Sequence, residues 1–283
     1  MMGAARSCRS YAAVSWFAAA MLLAGSRPLQ AVPISFPDFS STTDLNIVGD
    51  AAQVGNIVRL SSSSPGERGS TWFRAKQGVE VGFDTTFSFR ITAPAGADDA
   101  DGLNGGDGFA FVVQNTSDAA LGLANSYMGY EIANSLAVEF DTFRNGNFLA
   151  LEPNSNHVGV QSLGTGVNTP FAPAFLASAA VGSNLSDGGV HTAKVSYAPG
   201  SLQIFVDDFI HPVLTVPVDL GSLLNLSAGT AYVGFTGGGA AAYENHDLLS
   251  WHFATVPEPS SISLAVGGVL GLLALTRRRQ ARI

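Results

Sequence analysis

The chain has 283 residues, of which 46% are apolar and 13% charged, with 32 glycines and a single cysteine. That length holds one large β domain or two ordinary ones, and that balance excludes a disordered tail or a coiled coil. Residues 32–256 carry 7 basic and 21 acidic side chains, a net charge of −14. Such a region repels phosphate backbones, which excludes a nucleic-acid binder and suits a protein that holds divalent cations or faces neutral ligands.

The first segment carries Arg6 and Arg9, then an apolar run from Tyr11 to Gly25, then small or weakly polar residues down to Ala31. Charge, apolar core and small-residue exit predict a secretory signal peptide over residues 1–31. Cys8 lies inside it, so the mature chain would carry no disulfide and no thiolate ligand. An exported domain of some 220 residues must then hold together by core burial.

From Phe36 to Phe253 no helical period is sustained, and short β-rich runs alternate with Gly, Asn, Asp, Ser and Pro clusters. Phe83, Thr85, Phe87, Phe89 and Ile91 alternate with Asp84, Thr86, Ser88 and Arg90, the period of a strand with one buried face. Further strands are expected at 56–60, 71–75, 108–114, 136–143, 157–161, 192–197, 202–206, 231–235 and 248–253. About a dozen strands without a repeat or linker predict one all-β domain over 32–255, an antiparallel β-sandwich. Long connections fall at 93–106, 115–132, 144–156, 165–189 and 237–245, and loops of that length in a sandwich are often functional. Trp72 and Trp251 read as core, and His191, His211, His246 and His252 as strand-edge or surface residues.

Within the run Val138–Phe143, Glu139 and Asp141 are two apart, which on a strand puts both on one face about 7 Å apart. Like charges side by side on a sheet are unfavourable unless a cation sits between them. Asn145 and Asn147 follow, then Glu152 and a return strand beginning at His157, whose imidazole could meet the carboxylate pair. Carboxylates with amide and carbonyl oxygens suit Ca²⁺, and carboxylates with one imidazole suit Mn²⁺ or a similar transition metal.

At the C-terminus Pro257-Glu258-Pro259 precedes the largely apolar run Ser261–Thr276 and then Arg277-Arg278-Arg279. This tripartite end, over 256–283, resembles the PEP-CTERM sorting signal of Gram-negative bacteria. The resemblance implies processing by an exosortase-type enzyme and transient inner-membrane anchoring by a hydrophobic helix, with arginines on the cytoplasmic side.

The stretch Ala137-Val138-Glu139-Phe140-Asp141-Thr142-Phe143-Arg144-Asn145, with Glu152 to Val160, resembles the metal-binding segment of legume-type (L-type) lectins. Gly106-Asp107-Gly108-Phe109-Ala110-Phe111 resembles that family's Asp-Gly strand, and Tyr232–Thr236 with Leu248–Phe253 its closing strands. The matches run in family order across about three quarters of the chain. The resemblance implies a concanavalin-like jelly roll with a Ca²⁺ and a transition-metal site beneath a shallow sugar pocket. Glu139 and His157 would hold the transition metal, Asp141 would bridge both ions, and the Phe143 carbonyl and Asn145 side chain would complete the calcium shell. Glu152 falls where the family has its second bridging aspartate. That departure, and a loop about two residues longer than usual, leave open calcium alone, weak binding of both ions, or Asn147 in the role of Asn145.

The resemblance also implies that Asp107, after a cis peptide at Gly106–Asp107, accepts hydrogen bonds from two neighbouring sugar hydroxyls. Asn145 would link calcium to sugar, Phe143 would pack on the apolar sugar face, and the loop around Gly238 and Ala241 would bring backbone NH groups close. The family's glycine-rich loop aligns with either Leu121-Gly122-Leu123 or Met128-Gly129-Tyr130. Hydrolases on this fold place acids as Glu-x-Asp-x-x-Glu or a one-residue variant; here Arg144 and Asn145 stand in the third position, so the expectation is a binder and not an enzyme. The readings are an exported lectin for a glycan or exopolysaccharide at the cell surface or in the matrix, with a homodimer left open, or a structural sandwich that has lost its sugar site.

Overall fold

The alternation at Phe83–Ile91 becomes the first part of a 14-residue strand in the computed structural model, which describes residues 33–146 and 152–256. Among the described residues sixteen strands run in chain order. They are β1 (Ile34–Phe36), β2 (Leu45–Gly49), β3 (Ala52–Val54), β4 (Ile57–Ser61), β5 (Arg68–Phe73), β6 (Gln77–Gly78), β7 (Phe83–Gly96) and β8 (Gly108–Gln114), followed by β9 (Ser135–Asp141), β10 (His157–Gln161), β11 (Phe175–Ala180), β12 (His191–Ala198), β13 (Ser201–Val206), β14 (Leu214–Val216), β15 (Thr230–Gly238) and β16 (Ala242–Thr255). A short α-helix, α1 (Leu220–Leu223), is capped by the Asp219 side chain, which accepts from the Ser222 NH.

The strands form two antiparallel sheets. The back sheet has the order β14-β13-β12-β7-β16-β4-β3 with β1 added on β16; the front sheet has the order β11-β10-β9-β8-β15-β5-β2 with β6 added on β15. Alternate side chains of both sheets meet between them: Phe83, Phe87, Phe89, Trp251 and Phe253 from the back, and Phe109, Phe111, Val138, Phe140 and Phe235 from the front. Phe87 sits at the centre, its ring 4.9 Å from Phe235 and 5.4 Å from Phe140. Truncating a ring so placed costs about 3–5 kcal/mol.

The front sheet is buried on its outer face as well. Residues 115–134 fold over it, and Trp72, Ala110, Val112, Met128, Tyr130, Ile132 and Ala137 form a second apolar cluster there. The Trp72 indole NH fastens this layer by donating to the Ala120 carbonyl at 2.8 Å and to Ser70 Oγ at 3.0 Å. Strands β8, β9 and β10 are therefore buried along their whole length.

Several expectations need correction. The connection expected at 237–245 is a tight hairpin of residues 239–241, because β15 and β16 extend to meet it. The expected loop 165–189 contains β11, and β7 runs to Gly96 inside the expected loop 93–106. His246 and His191 are buried rather than peripheral, His191 bonded through both ring nitrogens and His246 through Nδ1 to Ser61 Oγ, whereas His211 and His252 are exposed. Among the described residues no helix is long and apolar enough to cross a membrane. The expected signal peptide and the PEP-CTERM motif, apolar run and arginine cluster lie outside the described residues.

Candidate functional site

The front sheet's outer face changes character toward one end of β9. Ala110 and Ala137 leave room under the second apolar cluster, and beyond them Glu139 and Asp141 point the same way. Antiparallel register sets Asp141 opposite both His157 on β10 and Gly108 on β8, and Glu139 opposite Gly159 and Ala110. The imidazole therefore faces Asp141, with Glu139 one step further along the same face. One ligand atom each from Asp141, Glu152 and His157 lies within 4.8 Å of the others.

His157 is prepared as a neutral ligand. Its Nδ1 hydrogen-bonds to the Asn154 carbonyl at 2.7 Å, which turns Nε2 toward Asp141 Oδ2, 3.9 Å away. Burial pulls its pKa down to about 4, so the ring is uncharged at neutral pH. Glu139 is enclosed: one carboxylate oxygen accepts from Gln161 Nε2, and the other, Oε1, has no hydrogen-bond partner. A Cβ at Gly159 would lie 2.6 Å from Glu139 Oε2, so only glycine leaves that carboxylate its space. Burial, reinforced by repulsion from Glu152, pushes the Glu139 carboxyl up to about 8. Asp141 is raised well above the usual range by burial and by Glu152 and Glu139.

Three acids packed this closely, without a lysine or arginine bridging Glu139 or Asp141 among the described residues, are a poor structural element on their own. They are a good donor set for a divalent cation, which reverses the repulsion and holds the carboxylates ionised. Two carboxylates and a neutral imidazole fit a transition metal, and carboxylate, amide and carbonyl oxygens fit calcium.

The loop after β9 carries the remaining expected ligands. The Phe143 NH donates to Asp141 Oδ1 at 2.7 Å. Glu152, 9% exposed, accepts from the Asn145 NH at 2.6 Å and from Asn145 Nδ2 at 3.1 Å. The Asn145 oxygen accepts from Ser126 Oγ at 3.0 Å, so its amide is already engaged on both sides. Asn147 lies outside the described residues. Two acids that sequence reasoning passed over secure this loop: Asp99 accepts from the Arg144 NH at 3.0 Å, and Asp101 accepts from Arg144 Nη1 and from Ser155 Oγ, each at 2.7 Å.

Asp107 stands beside this cluster, buried, with its Oδ2 unpartnered. The peptide before it is cis, as the resemblance implied. Burial, then the charges of Glu244 and Glu152, push its carboxyl up to about 7. Its NH donates to the Gly238 carbonyl at 3.2 Å, and the Ala240 NH faces its carboxylate. Gly238 thus contributes a carbonyl, Ala240 supplies the NH, and Ala241 turns its carbonyl to the Ala97 NH at 2.9 Å. Phe143 covers Gly106 so closely that a Cβ there would lie 2.9 Å from the phenylalanine Cβ. Of the two candidate glycine segments, Met128-Gly129-Tyr130 lies by the site: a Cβ at Gly108 would meet the Met128 sulfur at 3.0 Å.

Glu244 was not foreseen. It is buried, accepts from Thr142 Oγ1 and from Ser186 Oγ (2.5 Å), and lies 3.4 Å from His246 Nε2. Alternation along β16 marks Glu244 as inward-pointing, but nothing local in the sequence links it to Thr142 or Ser186, which come from distant loops.

An all-antiparallel sandwich of two curved sheets, with acids and an imidazole at the end of one of them, defines the concanavalin-like class. The legume lectin domain model matches residues 32–266, and the chain belongs to that family. It is similar to Lectin 8 of Medicago truncatula, 28% identical over 257 residues that cover 78% of this chain and 86% of that one. Among solved structures it shares its fold with the lectin from Bauhinia forficata in complex with GalNAc (TM-score 0.62, 22% identity, 80% of this chain and 98% of that one). The same holds for the exoplasmic/lumenal domain of VIP36 in its Ca²⁺/Man3GlcNAc-bound form (TM-score 0.61, 17% identity, 79% of this chain and 88% of that one).

Proposed function

We propose that this chain is an exported, non-catalytic carbohydrate-binding protein whose front-sheet pocket is braced by divalent cations. The observation that carries the reading is the buried, unpartnered Asp107 carboxylate oxygen set beside the Asp141, Glu152 and His157 ligand set. An acid at that position accepts hydrogen bonds from adjacent hydroxyls, and an ionised carboxylate can accept several at once. Glu139, Asp141, Glu152 and His157 would hold a transition metal such as Mn²⁺, while Asp141, Glu152, Asn145 and the Phe143 carbonyl would hold Ca²⁺. The cation supplies charge that keeps the acids ionised; the chain's own groups orient the ligand. Phe143 offers a half-buried ring to an apolar sugar face, and the Ala240 NH helps fix the Asp107 carboxylate.

Relatives described as lectins, one solved with GalNAc and one with calcium and mannose-containing glycan, support a glycan or exopolysaccharide partner. The leader and the C-terminal motif fit an exported protein handled by an exosortase-type enzyme, and a homodimer is compatible with the exposed sheet edges. The test is a glycan array probed with and without EDTA. Binding that disappears with chelator and with Asp107→Asn supports the reading; chelator-resistant binding that Asp107→Asn leaves unchanged removes this pocket from the function.

A further inference from the structure

The outer face of the back sheet carries a separate cavity of about 330 Å³. Its floor follows from register. Ser88 on β7 pairs with Thr192 on β12 and with Ser250 on β16, so three hydroxyl side chains lie in a row across neighbouring strands. One step along, Thr86 pairs with His252, which in turn pairs with Ser35 of β1. With strands about 4.8 Å apart the row of three spans about 10 Å, the width of a pyranose with its substituents. The hydroxyls of Thr86, Ser88 and Ser250 make no hydrogen bond to any other described residue, and Thr192 Oγ1 has only a 3.5 Å contact with Asp207.

Pro37 and Phe209 also line it, Phe209 being 43% exposed. No aspartate, glutamate, lysine or arginine lines the cavity. A floor of hydroxyls beside an exposed aromatic residue matches a ligand with hydroxyls on its rim and C–H groups on its face. A cation bordering this face, Lys194, is engaged over the Phe205 ring at 4.1 Å and the Phe209 ring at 5.8 Å, and a purely apolar ligand would strand the hydroxyl row. We propose that this cavity is a second saccharide site, independent of metal, that takes one neutral pyranose unit. It stands on the back sheet's own geometry and does not need the front-sheet reading. With both sites filled, a single chain would hold two glycan strands on opposite sheets without dimerising.

The experiment is saturation-transfer NMR on the full chain in EDTA, with methyl glucoside, methyl galactoside and methyl mannoside as probes. Transfer to at least one probe should persist in EDTA and in Asp107→Asn. Ser88→Leu and Ser250→Leu, which fill the cavity, should lower it tenfold or more, and Ser88→Ala, which keeps the strand packing, should lower it severalfold. The proposal is overturned if no probe shows transfer in EDTA, or if both leucine variants retain full transfer. It is equally overturned if those variants convert a dimer to a monomer by sedimentation while transfer is unchanged, since the face is then an interface between copies. The front-sheet reading fails separately, by loss of Asp107-dependent binding in metal-loaded protein.

Discussion

Two buried clusters of charge stand on the two sheets, and they are balanced differently. On the back sheet Asp247 is buried but carries its own counter-ions: Arg59 makes two hydrogen bonds to it, at 2.7 and 3.0 Å, and Arg90 lies 3.7 Å away. On the front sheet Glu139, Asp141 and Glu152 crowd together, and the nearest basic partner of Asp141 is a neutral imidazole. The first arrangement is complete within the chain, whereas the second has the composition of a site that takes its positive charge from solution.

The sharpest way to break the comparison is to remove the built-in counter-ion. Arg59→Ala should destabilise the fold by about 3 kcal/mol, the low end for breaking a buried pair, because Arg90 stays near; urea unfolding checks this, and an unchanged midpoint would show that Asp247 does not depend on Arg59. Next, Asp141→Asn should abolish the stabilisation that Ca²⁺ and Mn²⁺ give, about 2.7 kcal/mol at a hundredfold excess over Kd, read as loss of the metal-induced rise in Tm. The same variant in EDTA should be no less stable than the parent, since one repelling acid is gone; a large loss there would mean that the acids are held by something other than a cation. Gly159→Ala should crowd Glu139 and cost about 1–3 kcal/mol of stability or equivalent metal affinity, measured by calorimetry with Mn²⁺.

The smallest effect concerns His191, which sharpens the contrast because its acids are matched by a titratable cation. Burial lowers its pKa, but hydrogen bonds and charge from Asp207 (2.8 Å) and Asp187 (3.2 Å) outweigh that and leave it raised. The stabilisation is therefore full below the unfolded histidine pKa of 6.5 and is lost as pH rises through the folded value. The exposure of Asp207 should hold it to under about 1 kcal/mol. His191→Gln should flatten the fall in Tm between mildly acidic and mildly alkaline pH; an identical slope in both proteins would remove His191 as its source.

Much of this was legible in the residues. The period at Phe83–Ile91 named the core face, and the bounds expected at 108–114 and 157–161 match β8 and β10. The spacing of Glu139, Asp141 and His157 put all three on one face and set His157 against Asp141, because a strand pair fixes which side chains share a face. The short strands β1, β3, β6 and β14 were missed, since two or three residues carry too little periodicity to read, and so was the five-residue edge strand β2. The hairpin at 239–241 was overextended into a long loop because small residues there look like a turn, although they continue both strands. Asp99 and Asp101 gave no signal, and Glu244 none beyond its inward place in the alternation of β16, because their partners are set by tertiary contact between distant segments.

The layer over the front sheet has an optical consequence. Trp72 and Trp251 are the two tryptophans within the described residues; Trp72 lies under the 115–134 cover and Trp251 lies between the sheets, donating to Thr85 Oγ1. Each indole therefore reports a different compartment, and Trp72→Phe and Trp251→Phe would divide the emission of the folded domain into separate signals from its lid and its interior.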